Sequence, residues 1–462
     1  MEQNPNGETL KFCYQCGTCT SACPISKFIK VYRPNKILEL AKLGIRDLPQ
    51  SSAFLFCSAC TLCTKGCPQG VNVHGVFQAL KEMAAEDAHA RAFLADGFEK
   101  ALEELGGGMP LPVTYGWICL RPEEGELADC IKEAFDRALA GQPAAVPAAP
   151  EAKRVAVIGS GPAGLTAAWA LAKAGLKVTL YESQEALGGM LKTGIPAYRL
   201  PKEIVDAEIA KIAALGVEMR VNAPVDEAFF AGLLGDCDAV FVATGAMASR
   251  SLRIEGEDLE GVVPALDFLK AYNLTGKSDA VAGKRVVVIG GGNVATDAAG
   301  AALRSGAQSV KLFCLEGKDD MPAHAWEIEE IIADGAQVNP GWGPKAITGQ
   351  GKVAGVELVQ CAAVFDAAGK FAPVFNEKKA QAVEADVVIT AIGQAPDLGF
   401  LSGGIETLRG AVEVDPYTME TSLPGVFAGG DAIAGTSLLE AILTGKTAAE
   451  SILRYINAKG GN

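Results

Sequence analysis

Residues 154–182 constrain the fold of this chain more than any other part. They read RVAVIGSGPAGLTAAWALAKAGLKVTLYE, which is a β-branched strand, a glycine-rich turn, a helix of small residues and a second strand ending at Glu182. In such a turn Gly159 permits the sharp change of direction, Gly161 lets the backbone approach a pyrophosphate, and Gly164 lets helix and strand pack closely. The free N–H groups at the helix start bind phosphate. The stretch therefore predicts a Rossmann-type dinucleotide site, with Glu182 accepting hydrogen bonds from a ribose.

A second unit of the same kind begins at Arg285. It reads RVVVIGGGNVATD and, after a helix, continues as the strand SVKLFCLE, which ends at Glu316. Alanine replaces the third glycine. Two dinucleotide sites in one chain indicate FAD in the first and a pyridine nucleotide in the second. The residues predicted to contact the pyridine nucleotide are Gly290, Gly292, Asn293, Val294, Ala295, Glu316 and Gly393.

The other FAD-binding segments are predicted on both sides of this second unit. LGGML (187–191) and ATG (243–245) precede it, and GVFAGGD (425–431) and SLLE (437–440) follow it. SLLE has the pattern of a capping box, and the positive end of the helix it opens would face the flavin. Because GVFAGGD comes so late, the pyridine-nucleotide domain is predicted to be inserted in the FAD domain. The residues predicted to contact FAD are Gly159, Gly161, Pro162, Ala163, Gly164, Glu182, Gly188, Gly189, Met190, Arg199, Thr244, Gly245, Gly430, Asp431 and Ser437.

Eight of the 13 cysteines lie in the first 67 residues, in two groups with the spacing C-x2-C-x2-C-x3-C-P. In two-cluster ferredoxins the fourth cysteine of such a run binds the other cluster. We therefore predict two [4Fe–4S] clusters in a helical, ferredoxin-like domain. Zinc is the alternative, but zinc sites favour cysteine pairs with longer gaps and often include histidine. The predicted ligands are Cys13, Cys16, Cys19 and Cys67 for one cluster, and Cys57, Cys60, Cys63 and Cys23 for the other.

The remaining cysteines and the three histidines form no recognisable site. The flavin region contains no Cys-x-x-Cys pair that could pass electrons to a disulfide, so the predicted outlet for electrons is the iron–sulfur domain. Isolated cysteines are often small buried hydrophobic residues. The residues interpreted in this way are Cys119, Cys130, Cys237, Cys314 and Cys361, and the histidines too scattered for a metal site are His74, His89 and His324.

Composition limits the partners of the chain. The formal net charge is −14 over 462 residues, which argues against nucleic acid or an anionic membrane surface. No apolar run approaches the ~20 residues of a membrane helix, and the first residues lack a signal-peptide pattern. We therefore expect a cytoplasmic protein without membrane insertion.

These patterns predict an α/β fold with two Rossmann-type domains, the NAD domain inserted in the FAD domain, behind an α-helical two-cluster domain. The segment GQPAAVPAAPEA (141–152) reads as a linker. The predicted ranges are 1–140 for the iron–sulfur domain, 141–152 for the linker, 153–275 for the first half of the FAD domain, 276–392 for the NAD(H) domain and 393–462 for the second half of the FAD domain.

From about residue 10 onward, the order of motifs resembles the small subunit of glutamate synthase and its flavoprotein relatives. The match rests on the cysteine groups, GSGPAG, LGGML with TGIPAYRLP, ATG, GGGNVATD, MPA (321–323) and GVFAGGD. The two-cluster part also resembles heterodisulfide-reductase C-type subunits. The resemblance implies an FAD, an NAD(P)(H) site, iron–sulfur clusters and work as one subunit of a larger redox enzyme.

The sequence departs from NADP-using members of this family just before MPA. Those relatives carry an arginine pair and a further basic residue, where this chain has Leu315, Glu316 and Lys318. Glu316 would bind the ribose diol of NAD and repel a 2′-phosphate. Two like charges ~4 Å apart at an effective dielectric of about 20 cost roughly 4 kcal/mol, about three decades of affinity. NAD(H) is therefore predicted over NADP(H).

We expect an electron-transfer subunit that links NAD(H), FAD, two clusters and a partner, which is another redox subunit or a ferredoxin docking at the iron–sulfur domain. Hosts consistent with this are a 2-oxoacid (for example phenylglyoxylate):acceptor oxidoreductase, a glutamate-synthase-like complex or a transhydrogenase. Two alternatives stay open at this point. One is a self-contained NAD(P)H-dependent flavin reductase, and the other is a relay or scaffold subunit with a decayed nicotinamide site.

Overall fold

The computed structural model describes most of the chain. Cys60 and His89 lie outside the described residues, as do the side chains of Cys119 and Cys130, so the interpretations of these four are not addressed by the structure. In the described part no helix is long and apolar enough to cross a membrane. The described residues are 5–27, 32–44, 56–57, 61–86, 102–103, 109–120, 126–140, 149, 151–401, 404–435 and 437–460.

The N-terminal part is helical, as predicted. Its described helices pack around a core that contains buried Tyr32, Phe56, Phe77, Tyr115 and Phe135. A single-turn helix lies within each cysteine group and contains its third cysteine, Cys19 in one and Cys63 in the other. The described α-helices are α1 (Thr18–Ser21), α2 (Pro34–Lys42), α3 (Leu62–Lys65), α4 (Val73–Glu86), α5 (Pro112–Leu120) and α6 (Glu126–Ala140), with 3-10 turns at Pro5–Phe12 and Ile25–Lys27.

The first parallel sheet has the strand order β17 (Val426–Ala428), β4 (Ala239–Val242), β1 (Arg154–Ile158), β2 (Lys177–Tyr181) and β3 (Glu218–Arg220), so β1 lies at its centre. Ile158, the last residue of β1, stands opposite Tyr181 on one side and Val242 on the other. Because both faces of this sheet are covered, alternate residues of β1 enter different cores. Its elements are β1 (Arg154–Ile158), α7 (Pro162–Lys173), β2 (Lys177–Tyr181), α8 (Met190–Thr193), α9 (Lys202–Ala213), β3 (Glu218–Arg220), α10 (Glu227–Asp236), β4 (Ala239–Val242), β17 (Val426–Ala428) and α14 (Leu438–Gly460).

The second parallel sheet has the order β6-β13-β7-β8-β9. Its first strand in sequence, Val262–Pro264, pairs with Val388–Thr390. The predicted boundary at residue 276 was therefore too late, because a three-residue strand without alternation gives no sequence signal. The elements are β6 (Val262–Pro264), α11 (Ala265–Thr275), β7 (Arg285–Ile289), α12 (Asn293–Arg304), β8 (Ser309–Cys314), α13 (Ala325–Ala333), β9 (Gln337–Pro340) and β13 (Val387–Thr390).

A short antiparallel ribbon marks where the chain leaves and re-enters the first domain. Gln394 and Ala395 pair with Ser249 and Ala248. The ribbon confirms the insertion of the second domain, since both crossings lie side by side. The remaining strands are β5 (Ala248–Ser249), β10 (Trp342–Gln350), β11 (Lys352–Phe365), β12 (Phe371–Glu384), β14 (Gln394–Ala395), β15 (Thr407–Leu408) and β16 (Ala411–Val412).

A buried carboxylate joins the helical part to the first sheet domain. Glu208 on α9 accepts hydrogen bonds from the backbone N–H groups of Val113 (2.7 Å) and Thr114 (2.9 Å), at the start of α5. These are N–H groups that an α-helix cannot satisfy itself. Ile204 and Leu439 of the sheet domain also share a hydrophobic cluster with the cysteine-bearing helices. The two parts are thus packed against each other.

We expect this contact to make stability depend on pH. Burial raises the pKa of Glu208 to about 7, although the N–H groups it binds favour the ionised form. The folded state therefore holds more protons than the unfolded state between pH 4.5 and 7, so the free energy of unfolding falls as pH rises through this window. The change is at most about 3 kcal/mol from this group. Glu208→Gln should flatten the profile measured by urea unfolding.

The matched control is Glu203→Gln, an exposed acid on the same helix. Its pH profile should follow that of the unmodified protein. A Glu208→Gln profile as steep as that of the Glu203→Gln variant would contradict the assignment. Asp297, whose pKa burial also raises to about 7, contributes a residual slope of the same sign in both variants.

Candidate dinucleotide and iron–sulfur sites

The first glycine turn is built as a phosphate cradle. Gly159 has φ +101°, and a Cβ there would lie 2.3 Å from the carbonyl oxygen of Ala243. A Cβ at Gly164 would lie 1.9 Å from the Gly159 carbonyl oxygen, so strand and helix touch as predicted. Gly161, in contrast, has no atom within 4 Å of the place of a Cβ. This leaves the room that a pyrophosphate needs at the start of α7, where Pro162 is the first residue and Ala163 is buried.

Glu182 lies at the end of β2, beside this turn. Its carboxylate accepts hydrogen bonds from the Ser160 backbone N–H (3.0 Å) and hydroxyl (2.5 Å). The Ser160 hydroxyl also accepts one from the Gly188 N–H at 2.9 Å. A Cβ at Gly189 would lie 2.9 Å from Gly161 Cα, so the double-glycine segment rests on the turn. Ser160 was missed by the sequence interpretation, although it occupies the variable position between the first two glycines.

The segment GVFAGGD (425–431) lies beside the first glycine turn. Gly430 has φ +64°, its N–H donates to the Thr444 hydroxyl at 2.9 Å, and a Cβ there would lie 3.1 Å from Ala163 Cβ. Burial raises the pKa of Asp431, with a smaller effect from Glu440. The buried Thr244 hydroxyl, close to Gly159, has no hydrogen-bond partner among the described residues. A glycine cradle, a ribose acid and an unpartnered hydroxyl fit the polar groups of FAD.

Two further predicted residues have other roles in the structure. The Ser437 hydroxyl accepts a hydrogen bond from the Glu440 N–H at 3.2 Å, so it caps α14 as the capping-box pattern indicated. Arg199 forms ion pairs with Asp297 (2.6 Å) and Glu330 (3.0 Å), both in the second sheet domain. Its buried side chain thus joins the two domains, and contact with FAD stays a prediction, as it does for Met190 and Gly245.

The second glycine turn repeats the first. Gly290 has φ +146°, and a Cβ there would lie 2.3 Å from the Ala391 carbonyl oxygen. Gly292 has no atom within 4 Å of the place of a Cβ, so its backbone is open to a ligand. The Asn293 side-chain oxygen accepts a hydrogen bond from the His324 N–H at 3.1 Å, which ties the turn to the MPA segment. Of the other predicted residues, Val294 is half-buried, Ala295 is buried, and Gly393 has φ +110° beside Arg250.

Glu316 reaches the second turn from an unexpected register. The N–H of Gly159 donates to Tyr181, and that of Gly290 donates to Phe313, each at 2.8 Å. Cys314, not Glu316, is therefore the structural equivalent of Glu182. Nevertheless Glu316 Oε2 lies 2.6 Å from the place of a Cβ on Gly291, the residue equivalent to Ser160. A carboxylate thus stands beside each turn, and the second site fits the ribose of a pyridine nucleotide.

The predicted ligands of the first cluster surround one cavity. The cavity opens to solvent, and Gln69 and Val71 also line it. In the described residues no three side chains of Cys, His, Asp or Glu converge on a point where one metal ion would bind. Thiolates spread around a cavity suit a cubane cluster. The cysteines that line it are Cys13, Cys16, Cys19 and Cys67.

The second cysteine set lies deeper. Cys63 and Cys23 are buried, and Cys57 is half-buried. Burial raises the pKa of the Cys23 thiol, with a smaller effect from Cys57, so these two residues of different groups are neighbours. Their proximity is what an exchange of fourth ligands requires, and thiols so placed fit a second cluster. The exchange itself stays a prediction, as does Cys60 as the fourth ligand.

These sites can be compared with known proteins. The pyridine nucleotide-disulphide oxidoreductase family matches residues 153–451, and a 4Fe-4S dicluster domain matches residues 12–72. The chain belongs to the pyridine nucleotide-disulphide oxidoreductases. It is thus a flavoprotein oxidoreductase with an N-terminal iron–sulfur domain, which confirms the predicted fold class and the resemblance.

Relatives of this oxidoreductase include named subunits. It is 37% identical over 322 residues to the glutamate synthase (NADPH) small chain of Azospirillum brasilense, covering 66% of this chain and 67% of that one. Identity is 43% over 311 residues to the NADP(+)-dependent formate dehydrogenase subunit beta of Moorella thermoacetica, covering 66% and 44%. The chain thus spans less than half the length of that relative.

Solved structures show the same fold. Mycobacterium tuberculosis FprA in complex with NADPH superposes with a TM-score of 0.58 at 22% identity, covering 67% of this chain and 86% of that chain. The thioredoxin reductase of T. acidophilum gives a TM-score of 0.52 at 22% identity, covering 66% of this chain and 99% of that chain. The two sheet domains are therefore a shared scaffold.

Proposed function

We propose that this oxidoreductase is an electron-transfer subunit of a larger complex, moving electrons between NAD(H), FAD, two [4Fe–4S] clusters and a partner in the cytoplasm. One observation carries the proposal. Two dinucleotide turns and two cysteine sets stand in one chain, and the helical part is packed on the flavin domain through Glu208 and a shared core. The names of the relatives as subunits of formate dehydrogenase and glutamate synthase support this reading.

The chain's own residues position and insulate the redox groups. FAD would exchange a hydride with the nicotinamide and pass on single electrons, while the protein supplies orientation and electrostatics. Glu182 and the turn after β1 would hold the adenosine half. The N-terminus of α14, capped by Ser437, would place its positive end toward the flavin. Hydride transfer needs alignment of the two rings, so no acid–base residue is required.

We propose NAD(H) as the preferred coenzyme, although the relatives' names carry NADP(H). Glu316 supports the preference because its carboxylate lies beside Gly291 of the turn. There it can accept hydrogen bonds from a ribose diol and would repel a 2′-phosphate. Lys318 is exposed and does not remove that charge.

An anaerobic titration of the purified chain with NADH and, separately, NADPH tests the proposal. Flavin bleaching and loss of the broad iron–sulfur absorbance report on the two groups. We expect NADH to bleach both, and NADPH to act only at far higher concentration. Stronger reduction by NADPH would refute the coenzyme preference. If neither coenzyme reduces the flavin, the chain does not accept hydride from NAD(P)H, and the relay alternative is favoured.

Cysteine variants test the predicted exchange of ligands. Cys67→Ser should remove the same cluster as Cys13→Ser, because both side chains line one cavity. Each variant should lower the iron content from about eight to about four atoms per chain, and the double variant should lose no more. Iron analysis and low-temperature EPR of the reduced protein would show this.

The control is Cys361→Ser, a half-buried cysteine of the second sheet domain, which should keep all its iron. If Cys67 instead binds the cluster of its own group, the Cys13→Ser/Cys67→Ser double variant will lose both clusters. That result would contradict the exchange of ligands.

A further inference from the structure

Large apolar side chains are exposed beside the first cysteine group. Phe12 is 54% exposed and Tyr14 is 58% exposed, and they flank Cys13. Leu43, at the end of α2, is 66% exposed. Exposed apolar side chains that lie together on a surface mark interaction sites, whereas scattered ones need no explanation.

Lys42 holds the segments that carry these side chains close to each other. Lys42 Nζ donates to the carbonyl oxygens of Lys11 (3.1 Å) and Cys13 (2.9 Å), so the end of α2 is held against the first cysteine turn. Lys11 Nζ lies 5.3 Å from the centre of the Phe12 ring. Phe12, Tyr14 and Leu43, with Lys11 and Lys42, are called the Phe12 face below.

The charge of this region opposes that of the rest of the chain. Residues 12–72 contain seven Lys or Arg and only two Asp or Glu, whereas the whole chain carries −14. A basic surface on an acidic protein attracts acidic partners, which the rest of the protein surface repels. Aromatic side chains are also enriched in protein interfaces.

The two cysteine sets differ in their exposure to solvent. Cys16 is exposed, close to Tyr14. On the other set, the carbonyl of Phe56, just before Cys57, accepts a hydrogen bond from the Tyr115 hydroxyl at 3.3 Å. Tyr115 lies on α5, whose start is held by the flavin domain. The second set is therefore nearer the flavin domain, and the first set lies toward solvent.

We propose that the Phe12 face docks an acidic, one-electron redox protein at the outward cluster. This rests on the proposed function and adds the location and the charge of the partner. Oxidation of one NADH to NAD⁺ and one proton yields two electrons, so two such carriers would be reduced in turn, one electron each. Charge sets the encounter, and the exposed rings would be buried on contact.

Binding tests this without relying on turnover. Two probes of opposite charge are titrated calorimetrically into the oxidised holoprotein: an acidic plant-type ferredoxin and basic cytochrome c. We expect the ferredoxin to bind, with affinity falling at least about tenfold between 0.01 M and 0.15 M salt, where the Debye length shortens from about 30 to about 8 Å. Cytochrome c should bind far more weakly.

Variants locate the surface. Phe12→Ala and Lys11→Glu should each weaken ferredoxin binding about tenfold, a typical loss for an interface anchor. Phe371→Ala and Lys379→Glu are the matched controls, since both residues are exposed on β12 of the second sheet domain, and they should bind as the unmodified protein does. Unchanged iron and flavin content would show that each variant is intact.

The docking proposal would be overturned if cytochrome c bound as tightly as ferredoxin, or if Phe12→Ala and Lys11→Glu left the affinity for ferredoxin unchanged. Salt-sensitive self-association of the chain that Phe12→Ala abolishes would also overturn it, because the face would then bind a second copy. Failure of the proposed function is separately visible. If NADH does not bleach the flavin but the chain binds ferredoxin through the Phe12 face, the coenzyme assignment is wrong and the docking proposal stands.

Discussion

Changing Glu316 to glutamine should raise the affinity for NADPH by up to about three decades, because the charge that opposes a 2′-phosphate costs roughly 4 kcal/mol at close range. The affinity for NADH should fall about tenfold or more, since a hydrogen bond to a charged acceptor contributes about 1.5–3 kcal/mol. Both changes are measured as the coenzyme concentrations that half-bleach the flavin under anaerobic conditions. Adding Leu315→Arg should strengthen NADPH further by supplying a positive partner for the phosphate.

Glu357→Gln serves as the control, because this exposed acid lies on β11, where it pairs with Ala346 of β10. It should leave both titrations unchanged. If Glu316→Gln also leaves the ratio of the two coenzymes unchanged, the carboxylate does not face the ribose and the NAD(H) preference has another origin. A reduced preference for NADH with unchanged NADPH affinity would confirm the hydrogen bonds and refute the repulsion.

Gly164→Ala should prevent the FAD domain from holding its cofactor and should destabilise the domain itself. A Cβ there would lie 1.9 Å from the carbonyl oxygen of Gly159, a backbone atom that cannot rotate away. Overpacking of this kind costs typically 1–3 kcal/mol, which corresponds to a fall in melting temperature of several degrees. Calorimetry of the flavin-free protein and the flavin content of the purified protein measure the two effects.

Gly161→Ala separates binding from folding. In the described structure nothing lies within 4 Å of a Cβ at this position, so the flavin-free protein should melt like the unmodified one. Its Cβ would occupy the space reserved for the pyrophosphate, so FAD should still bind poorly. Normal flavin content in Gly161→Ala would show that this turn does not hold the pyrophosphate, and equal flavin-free stability of Gly164→Ala would contradict the close packing.

The glycine turns and the cysteine spacing could be read from the sequence because local geometry dictates them. A turn such as Gly159–Gly164 needs residues without Cβ atoms wherever the chain is, and a cluster needs thiolates at fixed intervals. The capping role of Ser437 was also predictable, since the hydroxyl and the N–H it accepts from are three residues apart. These features gave the fold class and most of the candidate site.

Tertiary structure decided the contacts between residues far apart in sequence. The carboxylate of Glu208 meets α5 across 95 positions, and Arg199 pairs with Asp297 of the other sheet domain. The Glu208 contact has only a weak signal in the sequence, an acid on an apolar helix face. The ion pair between Arg199 and Asp297 has none. The boundary before Val262 was missed because a strand of three residues is stabilised by its neighbour and not by its own pattern.

The sequence by itself determined that this chain has two Rossmann-type glycine turns and two cysteine sets, because those patterns involve neighbouring residues. Only the tertiary structure decided that Glu316 lies beside its turn although it stands two residues beyond the position equivalent to Glu182. It also decided that Ser160 links Glu182 to Gly188 and that the side chains of the Phe12 face are exposed to solvent. Register, burial and the direction of a side chain depend on how distant elements pack, and a local pattern contains no information on distances across the fold.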